Sequence, residues 1–188
     1  EKKLVKAASK VYKKFLASCP APDAPGSKQV TALMTITGLI DAPKADKEFL
    51  SINGAQGFST FYGYYMLEAM AMAGNYQGAL DVIREYWGAM IDLGATSFWE
   101  DFDINWIPNA APIDELVPEG KKDIHGDCGA YCYVGFRHSL CHGWASGPTS
   151  WLSRHILGVE VIEPGCRQVR ITPHLGDLQW VKGTFPTP

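Results

Sequence analysis

The stretch GNYQGALDVIREYWGAMIDLG, residues 74–94, carries the plainest structural signal in the chain. Leu80, Ile83, Trp87, Met90 and Ile91 recur at three- and four-residue steps, which gathers them on one face of an α-helix. Asn75 is a residue type that caps helix N-termini, and Gly94 is placed to close the other end. Before Asn75, the pattern Phe58, Phe61, Tyr62, Tyr65, Met66 and Ala69 marks a second amphipathic helix. The short Ala73-Gly74-Asn75 link makes the two an antiparallel pair.

Further towards the start the helical signal continues. Leu4, Ala8, Val11, Tyr12 and Phe15 share one face, and Val30, Leu33, Met34, Ile36 and Ile40 form another apolar stripe. The Pro/Gly-rich run from Cys19 to Gly26 separates the two. A short helix is expected from about Lys44 to Ile52. Beyond Gly94 the periodicity is lost from Thr96 to about Gly126, where Pro108, Pro112, Pro118 and Gly120 mark a long irregular excursion. Loops of that length inside a compact domain are usually functional. Helical pattern returns around Pro148, Trp151, Leu152 and Ile156. After Gly158 come three short β-like runs, Val159–Ile162, Gln168–Thr172 and Leu178–Lys182. Antiparallel helix pairs followed by strands predict a mainly α chain: part of a helical toroid over residues 1–158, then the start of a β-sandwich over 159–188.

The bulk composition fits a globular protein, with 46% hydrophobic and 20% charged residues and a formal net charge of −3. That balance gives no electrostatic footprint for a nucleic-acid backbone. Lys2, Lys3, Lys6, Lys10, Lys13 and Lys14 read as one solvated helix face. No run of 18 or more apolar residues occurs, so no membrane span is expected. The five cysteines, Cys19, Cys128, Cys132, Cys141 and Cys166, form no regular framework. The opening Glu and the end just after strand-like sequence carry the expectation of a piece whose natural termini lie elsewhere.

Two constellations could carry chemistry. In Gly94-Ala95-Thr96-Ser97-Phe98-Trp99-Glu100 a carboxylate follows a helix end and sits beside two aromatic rings. Partial desolvation there would raise its affinity for a proton and suit it to act as a base towards water. The bland alternative makes Glu100, Asp101 and Asp103 solvated loop acids. The second constellation is His125, Cys128, Cys132, His138, Cys141 and His142, where a zinc site competes with a packed helix junction. The spacing matches neither common zinc pattern, so no metal is expected. Trp99, Trp106, Trp144 and Tyr62 are candidate stacking platforms for a sugar ring, each with plain packing as its alternative. Trp87 and Trp151 lie on apolar stripes and are expected in the core.

At these residues the sequence resembles the bacterial α-L-rhamnosidases of glycoside hydrolase family 78. Gly94 to Glu100 is similar to the family's GAT-x-x-WE segment, and Ser139-Leu140-Cys141-His142-Gly143-Trp144 occupies the place of its sugar-contacting His, with Cys141 where Asn is usual. Trp151 to Val159, Pro164-Gly165 and Ile171 to Gly176 resemble the family's exit from an (α/α)6 barrel into a β-sandwich. The resemblance covers roughly residues 27 to 188. It implies that Glu100 is the catalytic base of an inverting hydrolysis and that His142 contacts the sugar; Trp99, Trp144 and Trp106 are the candidate substrate-binding rings beside them. It implies a rhamnose-containing glycan or glycoside as partner and no cofactor.

The stretch from Glu100 to His142 is longer than the resemblance predicts, which makes Pro108 to Gly126 an insertion near the site. The family's general acid and its rhamnose-gripping Asp and Arg residues have no counterpart here. Inverting glycosidases need two carboxyl groups about 6.5–9.5 Å apart, and only one is assigned in this chain. The expectation is an active parent and a weakly active or inactive piece. Other readings are a glycosidase of different sugar specificity and a non-catalytic carbohydrate-binding or structural module. A partial barrel would expose apolar helix faces, to be covered by self-association or rearranged packing. Extracytoplasmic location is favoured by function alone.

Overall fold

The computed structural model describes residues 2–18, 26–129 and 137–186. The chain is mainly α. Its helices are α1 (Lys2–Ser18), α2 (Lys28–Ile36), α3 (Ala42–Ala45, running on as a π-turn Asp46–Leu50), α4 (Gly63–Met72), α5 (Tyr76–Asp92) and α6 (Gly147–Trp151, running on as a π-turn Leu152–Ile156). Strand structure among the described residues is confined to two pairs. β1 (Ala110–Ala111) meets β2 (Lys122–Asp123) in parallel, and β3 (Val159–Val161) pairs antiparallel with β4 (Val169–Ile171), Glu160 opposite Arg170. No described helix is long and apolar enough to cross a membrane.

The α4–α5 hairpin forms the centre. Asn75 caps α5 through its side-chain oxygen, which accepts from the Gly78 N–H at 2.9 Å. Gly74 turns the link at φ 79°, a left-handed conformation that glycine adopts without strain. Met66, Leu67 and Met70 of α4 are buried with Leu80, Tyr86, Trp87 and Met90 of α5. The indole of Trp87 lies against Gly63, where an added Cβ would stand 2.7 Å from the ring. The Trp87 Nε1–H donates to the Ala145 carbonyl at 2.9 Å. Trp151 is likewise fully buried, and Pro148 lies in the first turn of α6.

The apolar stripes of α1 and α2 both lie at the surface. The apolar stripe of α2 points outwards: Val30, Leu33 and Ile36 are exposed, while Thr31, Ala32 and Thr35 are buried, in a helix packed mainly on α4. Small side chains let the two helices approach closely. The threonine hydroxyls donate at 2.8 Å to the carbonyls of Ser27 and Thr31 one turn earlier, so their burial leaves no polar group unmatched. On α1 the face bearing Leu4, Val11 and Phe15 is also exposed.

The third β-like run does not form a strand: residues 178–182 follow a turn in which the Leu178 N–H donates to the Leu175 carbonyl. Leu178 and Val181 pack on the core instead of pairing. The expected helix at Lys44–Ile52 is split between α3 and its π-turn, and Asp41 caps α3 by accepting from the Lys44 N–H at 3.1 Å.

These faces predict opposite mutational costs. Trp87→Ala should destabilise the chain by about 3–5 kcal/mol in urea unfolding, whereas Leu33→Ser should stay within about 0.5 kcal/mol. Comparable costs at both positions would contradict the outward orientation of the α2 stripe.

Candidate active site

The segment that leaves α5 is set by Gly94, which takes φ 89° and donates to the Ile91 carbonyl. A Cβ there would stand 2.9 Å from Asp114 Oδ1 and 3.1 Å from Ile113, so both conformation and space select glycine. Residues 97–100 then lie beside 139–142. The Glu100 N–H donates to the Ser139 carbonyl at 2.8 Å and the His142 N–H to the Phe98 carbonyl at 2.6 Å. The Ser97 hydroxyl donates to the Leu140 carbonyl. This pairing unites the two ends of the irregular excursion.

Glu100 is held at several atoms. Its Oε2 accepts from the Ser139 N–H at 2.7 Å, and its Oε1 stands 3.7 Å from His142 Nδ1. Its main-chain carbonyl accepts from the Thr60 hydroxyl at 2.6 Å and from the Trp144 indole N–H at 2.7 Å. The side chain keeps 18% exposure. The result is a carboxylate with fixed orientation and some access to solvent, next to an imidazole.

The four aromatic candidates separate. Trp144 is 40% exposed, with its ring 4.2 Å from the His142 ring and 5.7 Å from that of Phe61. Trp99 is fully buried, edge-on to Phe102 at 5.9 Å. It has no face for a sugar ring, so its part in the site is to fill the core behind Glu100. Trp106 is half-buried between Phe102 and His138 at 6.1 and 6.2 Å, again a packing position. Tyr62 touches Phe61 edge-on at 5.0 Å, and Tyr65 does so at 5.9 Å. An aromatic patch of Phe61, Tyr62, Tyr65 and Trp144 therefore borders His142 and Glu100. Thr60 had no signal in the sequence, because its hydroxyl reaches the Glu100 carbonyl only through packing across 40 positions.

Two clefts are lined in part by residues of these paired strips. Ser97 and Phe98 line one of about 230 Å³ together with Trp87, Met90 and Ile91. Leu140 lines another of about 210 Å³ with Asp123, His125 and Arg137.

Of the cysteine and histidine constellation, Cys128 and His138 are buried and Cys141 is exposed. No group of three His, Cys, Asp or Glu suited to a metal ion occurs among the described residues, and Cys132 lies outside them. Burial pushes the Cys128 thiol above its ordinary pKa. The rings of His125 and His138 are 5.3 Å apart, and Arg137 pairs with Asp123 at 2.9 Å. Burial alone would raise the Asp123 carboxyl. Donation from the His125 and Gly126 N–H groups and the nearby guanidinium outweigh it and hold that carboxyl below its usual value.

Scanned against protein-family models the chain matches none, and no curated protein matches it.

Burial pushes the imidazole of His138 below its ordinary pKa, and the neighbouring His125 adds to the shift. The unfolded imidazole titrates near about 6.5, so below that pH the unfolded chain binds a proton that the folded chain refuses. Stability should therefore fall as the pH drops through the unfolded value. His138→Gln should flatten this part of the profile in urea melts. An unchanged slope would show that other groups carry the acid sensitivity.

Proposed function

We propose that this chain is the later part of an (α/α)6 barrel leading into a C-terminal β-sandwich, and that the protein it belongs to hydrolyses terminal α-L-rhamnosides with inversion. What supports the reading is that Glu100 meets His142 and Trp144, from a distant part of the sequence, at one partly exposed patch. The resemblance gives those residues their roles.

In this reaction water attacks the anomeric carbon as the glycosidic C–O bond breaks. Glu100 takes the proton of the attacking water, and a carboxylic acid from barrel sequence beyond this chain protonates the leaving oxygen. A base must hold its carboxylate in a constant direction, and donation from the Ser139 N–H to Oε2 does this for Glu100. His142 lies close enough to Oε1 to hydrogen-bond a sugar hydroxyl beside it. Trp144 offers a ring face at the rim, and flat rings suit the apolar faces of pyranosides.

The test is hydrolysis of p-nitrophenyl α-L-rhamnoside by the full-length protein. Glu100→Gln should lower kcat by about 10²- to 10⁴-fold, and proton NMR of the first product should give the inverted anomer. Retention of configuration, or a mutant as fast as the parent, would overturn the assignment.

The openness of the aromatic patch favours a second reading, a carbohydrate-binding surface without catalysis. It predicts that Trp144→Ala abolishes rhamnoside binding in calorimetry while Glu100→Gln leaves it intact, with no turnover by either protein.

A further inference from the structure

A second cluster of charged and aromatic side chains lies where α6 ends against the β3–β4 hairpin. Arg154 and His155 come from the π-turn that ends α6, Glu160 from β3, Arg170 from β4, His174 from the segment after β4, and Tyr76 from the first position of α5. They surround a cleft of about 330 Å³, within the range of about 300–1,000 Å³ typical of small-molecule sites.

The walls are fixed against one another. The Tyr76 and His174 rings stack at 3.8 Å with 6° between their planes. The His174 N–H donates to the His155 carbonyl at 3.2 Å, and the Thr172 N–H donates to the Gly158 carbonyl at 2.8 Å. Gly158 takes φ 77°, and a Cβ there would overlap the Thr172 backbone. Only glycine allows the hairpin to close so tightly over the end of α6.

The cleft is lined by charges of both signs. Two guanidinium groups face it against one carboxylate, Glu160, which engages Arg170 Nη1 at 3.1 Å. Glu68, behind the wall, is already engaged by His155 Nε2 at 2.9 Å and lies 3.8 Å from Arg154 Nη1. A guanidinium carries five N–H donors in a planar fork, so these contacts leave capacity on both arginines. The N-terminal end of α5, at Tyr76, adds its positive partial charge to the same region. Arg154 and Glu160 also belong to a neighbouring groove of about 580 Å³, which gives the remainder of a ligand a place to lie.

We infer that this cleft binds a small ligand bearing an oxyanion, a carboxylate or a phosphate, held by Arg154 and Arg170 against the stacked Tyr76–His174 wall. The inference rests on the cleft alone and does not require the glycosidase reading.

The experiment is a proton–nitrogen NMR titration of the chain with inorganic phosphate and, separately, with citrate, using sodium chloride at matched ionic strength as control. One of the two anions should give saturable shifts centred on the amides of residues 154–160 and 170–174, and which anion does so distinguishes phosphate from carboxylate chemistry. Arg170→Gln should weaken that binding by on the order of tenfold, the loss of a charge-assisted contact. Glu160→Gln, which removes the competing carboxylate, should tighten it several-fold. Arg154→Gln provides a second test on a different element, and unshifted resonances elsewhere verify that each variant is folded. Shifts that never saturate, shifts equal to those in chloride, or weakening on Glu160→Gln would overturn the proposal.

Discussion

The contact between the Trp87 indole and Gly63 fixes the distance between α4 and α5, and the same indole reaches across to the Ala145 carbonyl. One side chain thereby joins the central hairpin to the turn that follows His142. The large apolar face of the ring is buried against the hairpin, and its polar edge finds a carbonyl, so neither part is left unmatched. The position of residues 139–145 over the end of α5 follows from this arrangement, and with it the pairing of 97–100 against 139–142. The candidate carboxylate is downstream of packing that it does not itself touch.

The arrangement around Glu100 divides orientation from access. Backbone donors and the Thr60 hydroxyl fix the main chain and one carboxylate oxygen, whereas the exposed side is bordered by His142 and Trp144. Fixed orientation suits a proton acceptor, and a bordering aromatic rim suits a ligand with apolar faces. The long excursion between the two strips is anchored at its own points: Ile124 is fully buried, Ala110 and Ala111 are buried, and the Ile113 N–H donates to the Leu93 carbonyl. The exposed portion around Leu116 and Val117 is therefore a local protrusion on a tethered loop.

Much of this was legible in the sequence, and the limits have physical causes. Asn75 and Gly94 announced α5 because capping and left-handed closure depend on a single residue each. Glu100 and His142 were legible as a pair through motifs, and the pairing of their backbones joins them in space. The orientation of α2 was not legible, since hydropathy ranks Val and Leu above Thr and cannot register that Thr31 and Thr35 satisfy their hydroxyls within the helix. Nor does a count of tryptophans separate Trp99, buried, from Trp144, exposed; that difference arises from neighbours far along the chain. Residues 178–182 alternate like a strand, but Leu178 and Val181 find the core without a pairing partner.

The return of the C-terminal segment to the start of α5 has a kinetic consequence. The Asp177 N–H donates to the Gln77 side chain across 100 positions, and Asp177 also meets Arg84 across 93. Contacts of such separation are made only after the intervening chain has been ordered, because closing so large a loop is entropically costly before its interior is packed. The α4–α5 hairpin, whose contacts are local, can form early and serve as the template. The last residues then act as a latch that engages late, and interruption of the chain before Asp177 would leave a hairpin able to form with nothing to fasten it.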